Sequence, residues 1–364
     1  MSDIEFMRTA IALAKRGLGQ TAPNPSVGCV IVKNGRVAGR GFTAPGGRPH
    51  AEVIALRAAG EQARGGTAYV TLEPCSFAGK SGPCTEALIA AGITRVVLGA
   101  QDPHPKVNGA GIARLKSAGI QVTENVLRQE CEAVIAGFAT VQRERRPLLH
   151  LKLATSLDGR IATAGGESQW ITGTEARRAV HAMRGRHDAV LTGVGTVLED
   201  DPELTCRIEG FRTAPLVRIV VDSQLRTPLL SKLVRGAAQH PLWILHRDSA
   251  DKHRRRALED AGVKLIELPG TNAGVDLRAG MSALAQEGLT LIMAEGGGTL
   301  AAGLLRAALV DRISWFHAPC IIGGDGFPAA EGFGVSKLED APRFAFMFSK
   351  RLGHDMLSQF TRAA

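Results

Sequence analysis

The sequence predicts an α/β protein of two domains. Three observations carry that prediction. The chain has 364 residues, more than one core usually supports. Short apolar runs of strand character alternate with amphipathic stretches of helical period. Near the middle, the charged stretch Arg143-Glu144-Arg145-Arg146-Pro147 interrupts that alternation, which places the domains at 1–145 and 146–364.

The first half builds as follows. Residues 3–17 read as an amphipathic helix, with Ile4, Met7, Ile11 and Ala14 on one side and Gly17 at its end. Pro23-Asn24-Pro25-Ser26-Val27-Gly28 is a stiff polar loop whose prolines hold the backbone around Asn24. Alone, it reads as a plain connector. Residues 27–32 form an apolar strand, Asn34-Gly35 signals a hairpin turn, and 36–42 return as a second strand. His50 opens a helix ending near Gly60. Strand 67–72 delivers Glu73-Pro74-Cys75 at its end, where open α/β sheets carry their ligands. Pro83-Cys84 starts helix 84–91. Strand 95–99, helix 108–118, strand 120–124 and helix 126–143 complete a sheet with helices on both faces.

The second half opens with strand 148–154, then Ser156-Leu157-Asp158-Gly159-Arg160 and a polar loop. Helix 174–185 follows, and strand 188–192 runs into the turn Gly193-Val194-Gly195-Thr196. A loop from Asp200-Asp201-Pro202 reaches Leu204-Thr205-Cys206-Arg207. Strand-like runs fall at 216–221, 242–246, 263–267 and 289–294, with helices at about 251–261, 276–286 and 299–309. Late strands near 312–318, 343–349 and 355–361 suggest an antiparallel edge.

The chemistry of the first half centres on Pro49-His50-Ala51-Glu52. It is answered by Cys75, and then by Cys84 after eight intervening residues. His50, Cys75 and Cys84 make three ligands for one zinc ion, and three leave a fourth position open for water, the catalytic pattern. Zinc lowers the pKa of that water so that it can attack as hydroxide. Glu52 is not a ligand and serves as the proton carrier. H-x-E followed by P-C-x-x-C is a general mark of zinc nucleobase deaminases, but here the second Cys lies much further along. Residues two apart do not align on a regular helix, so His50 and Glu52 share a pocket only if the metal sits off the first turn. A helix N-terminus favours negative charge, which suggests that Cys84 ionises readily. Any one of these residues alone is more often structural; the four together are not.

Two Gly-rich turns follow strands in the second half, at Gly193 and at Glu295-Gly296-Gly297-Gly298-Thr299. Backbone amides at a helix start bind phosphate, and glycines let it approach. Each turn alone reads as a tight turn. Position 198 is Leu, so the first lacks the third Gly of a dinucleotide fingerprint, and no Walker lysine is present. The pair suggests a dinucleotide or another phosphorylated ligand. Arg184 and Arg207 could clamp a phosphate bidentately.

Composition excludes several classes. Hydrophobic content of 45% and charged content of 22% fit an ordinary soluble protein. The net charge of +9 is spread along the chain, without a basic tail or an Arg run interleaved with aromatics. Its densest cluster, Lys252-His253-Arg254-Arg255-Arg256, lies on a predicted helix and reads as a solvated face. The charge suits phosphorylated small molecules rather than nucleic acid. No run approaches the roughly 20 apolar residues that span a membrane. With no signal-peptide pattern and six scattered Cys, the expected location is the cytoplasm.

Read together, these motifs resemble the RibD family of bifunctional riboflavin-biosynthesis proteins, in which a pyrimidine deaminase is fused to a reductase. The matching stretches are Pro23-Asn24-Pro25, His50-Ala51-Glu52, Thr71-Leu72-Glu73-Pro74-Cys75-Ser76 and Cys84. They continue with Ser156-Leu157-Asp158-Gly159, Gly166 to Thr172, Asp200-Asp201-Pro202, Leu204-Thr205 and Glu295-Gly296-Gly297. The resemblance implies a cytidine-deaminase-like three-layer N-terminal fold and a dihydrofolate-reductase-like C-terminal fold. It implies deamination of 2,5-diamino-6-ribosylamino-4(3H)-pyrimidinone 5′-phosphate, then NADPH reduction of the ribosyl group to give 5-amino-6-ribitylaminouracil 5′-phosphate. Asn24 and Lys80 would contact the deaminase substrate. Ser168, Arg184, Leu204, Arg207 and Glu295 would hold the reductase substrate. NADPH would lie along Ala154, Trp170, Thr196, Asp200, Ser223, Gly297, Gly298, Thr299, Leu300, Ala301, Ala302 and Gly303. Asp200 and Glu295 are the candidate proton donors of the reduction.

Three positions depart from the family pattern. Phe77 stands where it has His, Gly82 where it commonly has Pro, and His104 where Asn is usual. A deaminase with altered substrate contacts is therefore expected. Competing readings are a tRNA or nucleoside deaminase with an appended domain, and a chain whose first half is a degenerate binding module. Strands of the second half could also pair across a two-fold axis into a homo-oligomer.

Overall fold

A computed structural model describes residues 2–77, 82–105, 107–271 and 274–363. The chain forms two compact units, Met1–Arg145 and Arg146–Ala364.

The first unit runs α1 (Asp3–Ala14), β1 (Gly28–Lys33), β2 (Arg36–Phe42), α2 (Ala51–Ala59), β3 (Thr67–Leu72), α3 (Cys84–Ala90), β4 (Arg95–Ala100), α4 (Ala110–Ser117), β5 (Gln121–Thr123), α5 (Arg128–Val134) and α6 (Ala136–Glu144). The strands form one sheet in the order β2-β1-β3-β4-β5. Strand β1 is antiparallel to β2 and β3, and β3, β4 and β5 are parallel. Helix α1 stops at Ala14, short of the expected Gly17, because the Ser26 hydroxyl donates to the Ala14 carbonyl at 2.6 Å. The expected helix 126–143 is two helices, broken at buried Ile135, whose ψ of 9° leaves the helical range.

Small residues set how closely α2 approaches the sheet. Ala51, Ala55 and Ala59 share its buried face. They meet Gly39 and Gly41 on β2, where a Cβ would overlap the Ala55 and Ala51 carbonyls. This contact seats the start of α2, and with it His50 and Glu52.

The second unit runs β6 (Leu148–Thr155), β7 (Arg160–Ala162), α7 (Thr174–Gly185), β8 (Ala189–Gly193), α8 (Val194–Asp200), β9 (Val217–Val221), α9 (Lys232–Arg235) and β10 (Leu242–Arg247). It continues with α10 (Lys252–Asp260), β11 (Lys264–Leu268), β12 (Gly270–Thr271), β13 (Gly274–Val275), α11 (Leu277–Gln286), β14 (Leu291–Glu295) and α12 (Gly298–Arg306). The last strands are β15 (Val310–His317), β16 (Phe327–Pro328), β17 (Phe344–Leu352) and β18 (Asp355–Arg362). Nine strands form one sheet in the order β11-β10-β9-β8-β14-β6-β15-β18-β17. It is parallel from β11 to β15, and β18 and β17 add the antiparallel edge that the sequence suggests. The Gly193 turn leads straight into α8, so Asp200 ends a helix rather than opening a loop. Among the described residues no helix is long and apolar enough to cross a membrane.

Two histidines are buried beneath the centre of this sheet. His150 on β6 lies with Nδ1 3.2 Å from His187 Nε2, and its Nε2 lies 2.8 Å from Ser314 Oγ. Burial holds His187 down to about 4 and lowers His150 well below its usual range. An unfolded His titrates near 6.5. Between the two values the unfolded chain binds the extra proton, so this stability is full above about pH 6.5 and is lost as pH falls towards 4. Thermal melts should show the midpoint falling from pH 7 to pH 5, with a slope of up to about 1.4 kcal/mol per pH unit for each His. His187→Gln should flatten that slope.

Candidate functional site

The first site forms where α2, the end of β3 and the start of α3 converge. His50 caps α2, Glu52 is its second residue, and Cys84 is the first residue of α3. Placing His50 at the cap frees it from the helical period, so it can face the same space as Glu52. His50 Nδ1 lies 3.3 Å from Cys84 Sγ and 3.7 Å from Cys75 Sγ. All three ligand atoms lie within 4.8 Å of one another. Ligand atoms at tetrahedral zinc distances stand about 3.5 Å apart, so this donor set fits a zinc ion. Glu52 is buried, and burial raises its pKa.

The thiols differ from expectation. The amide at the start of α3 belongs to Cys84 but donates to Cys75 Sγ at 3.4 Å. The Cys84 thiol, then His50 and this amide, hold Cys75 down to about 4. Cys75, burial and Glu52 push Cys84 up. The start of α3 thus serves the neighbouring sulfur of Cys75 rather than that of Cys84 itself.

Around this site, Asn24 donates its Nδ2 to the Gly47 carbonyl at 2.9 Å, three residues before His50. Lys80 lies outside the described residues. Glu73 is buried and accepts the amides of Asp102, Gly109, Gly111 and Ile112, which ties the end of β3 to α4. Phe77 and His104, two of the departures noted above, stack on each other with centroids 5.9 Å apart. Phe77 is 40% exposed, so this stack can present an aromatic face to solvent.

The second site is a cleft of about 1520 Å³ along the C-terminal ends of β6, β14, β8 and β9. It gathers Ala154, Ser168, Trp170, Arg184, Thr196, Asp200, Leu204, Arg207, Ser223 and Glu295. Of the turn and helix from Gly297 to Gly303, every residue lines it except Ala301, which is 1% exposed and packs in the core. Gly297 caps α12 without a side-chain hydrogen bond, and a Cβ there would meet open space. That cradle fits a phosphate group of a dinucleotide. Trp170 is 70% exposed, with the Arg177 guanidinium 4.6 Å from its ring centre.

Arg184 is not available as a bidentate phosphate clamp. Its Nε and Nη2 donate to Glu295 at 2.6 and 3.0 Å, and its Nη1 donates to the Thr205 carbonyl. The residue that sequence reasoning missed is Lys152. It is the register partner of Glu295 across β6 and β14, with Nζ 4.0 Å from the carboxylate. Burial lowers the pKa of Lys152, and Glu295 partly offsets this. Burial works to raise Glu295, but the charges and hydrogen bonds of Arg184, with Lys152, hold it below the usual range. Glu295 is thus an anchored anion with Lys152 beside it. Asp200 is exposed at the end of α8. The signal for Lys152 is present in the sequence: it is the one formally charged residue in a strand that is half leucine.

The model of the cytidine and deoxycytidylate deaminase zinc-binding region matches residues 1–100. The RibD C-terminal domain model matches residues 147–358. The chain belongs to the RibD family. The riboflavin biosynthesis protein RibD of Escherichia coli K12 is 42% identical over 367 residues, covering 98% of each chain. That of Aquifex aeolicus is 38% identical over 360 residues, covering 99% of this chain and 98% of its own. A solved structure of Acinetobacter baumannii RibD superposes with a TM-score of 0.88 at 36% identity, over 100% of this chain and 99% of its own. A deaminase/reductase from Thermotoga maritima gives 0.86 at 32% identity, over 99% of both chains. As a RibD family member, this chain is a bifunctional deaminase and reductase of riboflavin biosynthesis that uses zinc and NADPH.

Proposed function

We propose that the two units divide the family's reactions, with residues 1–145 deaminating the phosphorylated aminopyrimidine and residues 146–364 reducing its ribosyl group. The observation that carries this is the location of the sites. The His50, Cys75 and Cys84 ligand set lies wholly in the first unit, and the glycine-lined cleft lies wholly in the second.

In the deaminase, zinc held by His50, Cys75 and Cys84 supplies a water activated at neutral pH. Glu52 would carry two protons in turn: the one lost by the attacking water goes to the ring nitrogen, and the one on the added hydroxyl goes to the departing amine as the carbonyl forms. Its burial keeps bulk water from competing for that proton. Asn24 and Lys80 hold the substrate, and the Phe77–His104 stack offers a face for its ring.

In the reductase, the turn and helix from Gly297 to Gly303 would hold NADPH, which would supply the hydride. The chain supplies the proton and the charge. Lys152 protonates the sugar oxygen as the ring opens to an imine. Glu295 stabilises the positive charge on that imine and keeps Lys152 aimed. Arg184 locks Glu295 in place, which leaves Arg207 and Ser168 to meet the substrate phosphate. Trp170, Thr196, Asp200 and Ser223 border the cofactor.

A homo-oligomer also fits the second unit. The outer strand β17 exposes Phe346, Met347 and Phe348, and its neighbour β18 exposes Met356. Such an apolar edge suits a second copy of the chain. A cytoplasmic location suits the six unpaired cysteines. The test of the division of labour is expression of residues 146–364 alone with NADPH. Turnover of the deaminated intermediate without ammonia release from the diamino compound supports it; ammonia release by that fragment contradicts it.

A further inference from the structure

The groups assigned so far do not distinguish NADPH from NADH. We propose that Arg226, presented beside Ser223 by a braced turn after β9, binds the 2′-phosphate of NADPH and so selects it over NADH. This rests on the cofactor placement along α12 given above.

Sheet order sets the direction. Lys152 and Glu295 mark the reacting end, on β6 and β14. The next strands are β8 and β9. Three interstrand steps separate β6 from β9, about 14 Å in all. Gly296, just before α12, approaches the Gly193 amide at the end of β8. A dinucleotide with its reacting ring over Lys152 and its central phosphates at Gly297 therefore carries its adenosine towards the end of β9. Ser223 and Arg226 line the cleft there.

The turn that carries Arg226 is built rigidly. Asp222 is fully buried, and its Oδ2 accepts the Thr227 amide at 2.7 Å and the Thr227 hydroxyl at 2.8 Å. From α10, Arg254 donates to the Leu225 carbonyl at 3.0 Å and the Thr227 carbonyl at 2.6 Å. Leu225 takes a left-handed φ of 56° and buries its side chain completely. Leu225 and Thr227 are thus anchored inward on either side of Arg226, whose own side chain is exposed on the cleft. A guanidinium held on a stiff turn suits a phosphate, since little ordering is left to do on binding. Two other cations of the cleft are engaged elsewhere. Lys232 lies 3.9 Å from Asp201, and Arg306 donates to the Gly332 carbonyl at 3.1 Å. Arg278, on the first turn of α11, is the rival.

Calorimetry on the full chain tests this with two adenosine ligands that differ only in the 2′-phosphate, adenosine 2′,5′-bisphosphate and 5′-AMP. Arg226→Gln should weaken the bisphosphate roughly 10- to 100-fold and leave 5′-AMP unchanged. Its NADPH affinity should fall to that of NADH, with the thermal midpoint unaltered. Arg278→Gln should bind the bisphosphate as the parent does. An unchanged bisphosphate affinity in Arg226→Gln overturns the proposal, as does an equal loss for both ligands or a loss confined to Arg278→Gln. Gly297→Val separates the underlying placement, because its side chain enters open cleft space. If Gly297→Val binds NADPH normally, the placement itself fails; if NADPH weakens there while Arg226→Gln binds the bisphosphate normally, only the role of Arg226 fails.

Discussion

Glu52→Gln should lower ammonia release from the diamino substrate by about a hundred- to ten-thousand-fold. The side chain keeps its size, so α2 stays seated on Gly39 and Gly41. Its atoms are not part of the His50, Cys75 and Cys84 ligand set, so zinc content should match the parent. NADPH oxidation with the already deaminated intermediate should also be unchanged, since we place that chemistry in the other unit. Metal analysis with separate assays of the two half-reactions checks all three. A variant that loses zinc as well as activity would show Glu52 to be structural instead.

Lys152→Met should abolish reduction to a similar extent, about a hundredfold or more, while ammonia release continues. Met fills the same volume in β6 without the proton. Glu295→Gln gives a different signature. The Glu295 carboxylate raises the pKa of Lys152 against the lowering effect of burial. Removing that charge lets the Lys152 pKa fall further. A lysine that donates a proton must be protonated, so its activity is lost as pH rises through its pKa. In Glu295→Gln the alkaline limb of the reduction should therefore move to lower pH. A limb that stays in place, with only the KM for substrate raised, would make Glu295 a binding residue and leave the proton to another group.

Much of this fold is legible in the sequence, and the reasons are local. Period and turn chemistry give α7 at Thr174–Gly185 and the β1–β2 hairpin through Asn34-Gly35. Apolar runs give the strands of the second sheet. What is not legible depends on partners distant in sequence. The Ser26 hydroxyl ends α1 from twelve residues away. Gly193-Val194-Gly195 has the composition of a turn, yet α8 starts there because β8 delivers the chain into helical geometry.

The metal ligands are legible because three chemically specialised residues and a Glu recur at telling distances. The cleft is only half legible. Arg184 looks like a phosphate clamp until Glu295, 111 residues away, is seen to occupy it. Lys152 looks like one charged residue in a strand until the register sets it opposite Glu295. Phe77 and His104 are separate oddities in sequence and one stacked pair in space.

The central claim is that one chain deaminates and then reduces the same substrate at two separate sites. The most direct measurement supplies purified zinc-loaded protein with the diamino substrate and NADPH, and follows ammonia and NADPH separately over time. The account predicts that ammonia appears first, that NADPH loss follows, and that the two reach equal amounts. NADPH oxidation without ammonia, or ammonia release with no substrate-dependent loss of NADPH, would contradict it.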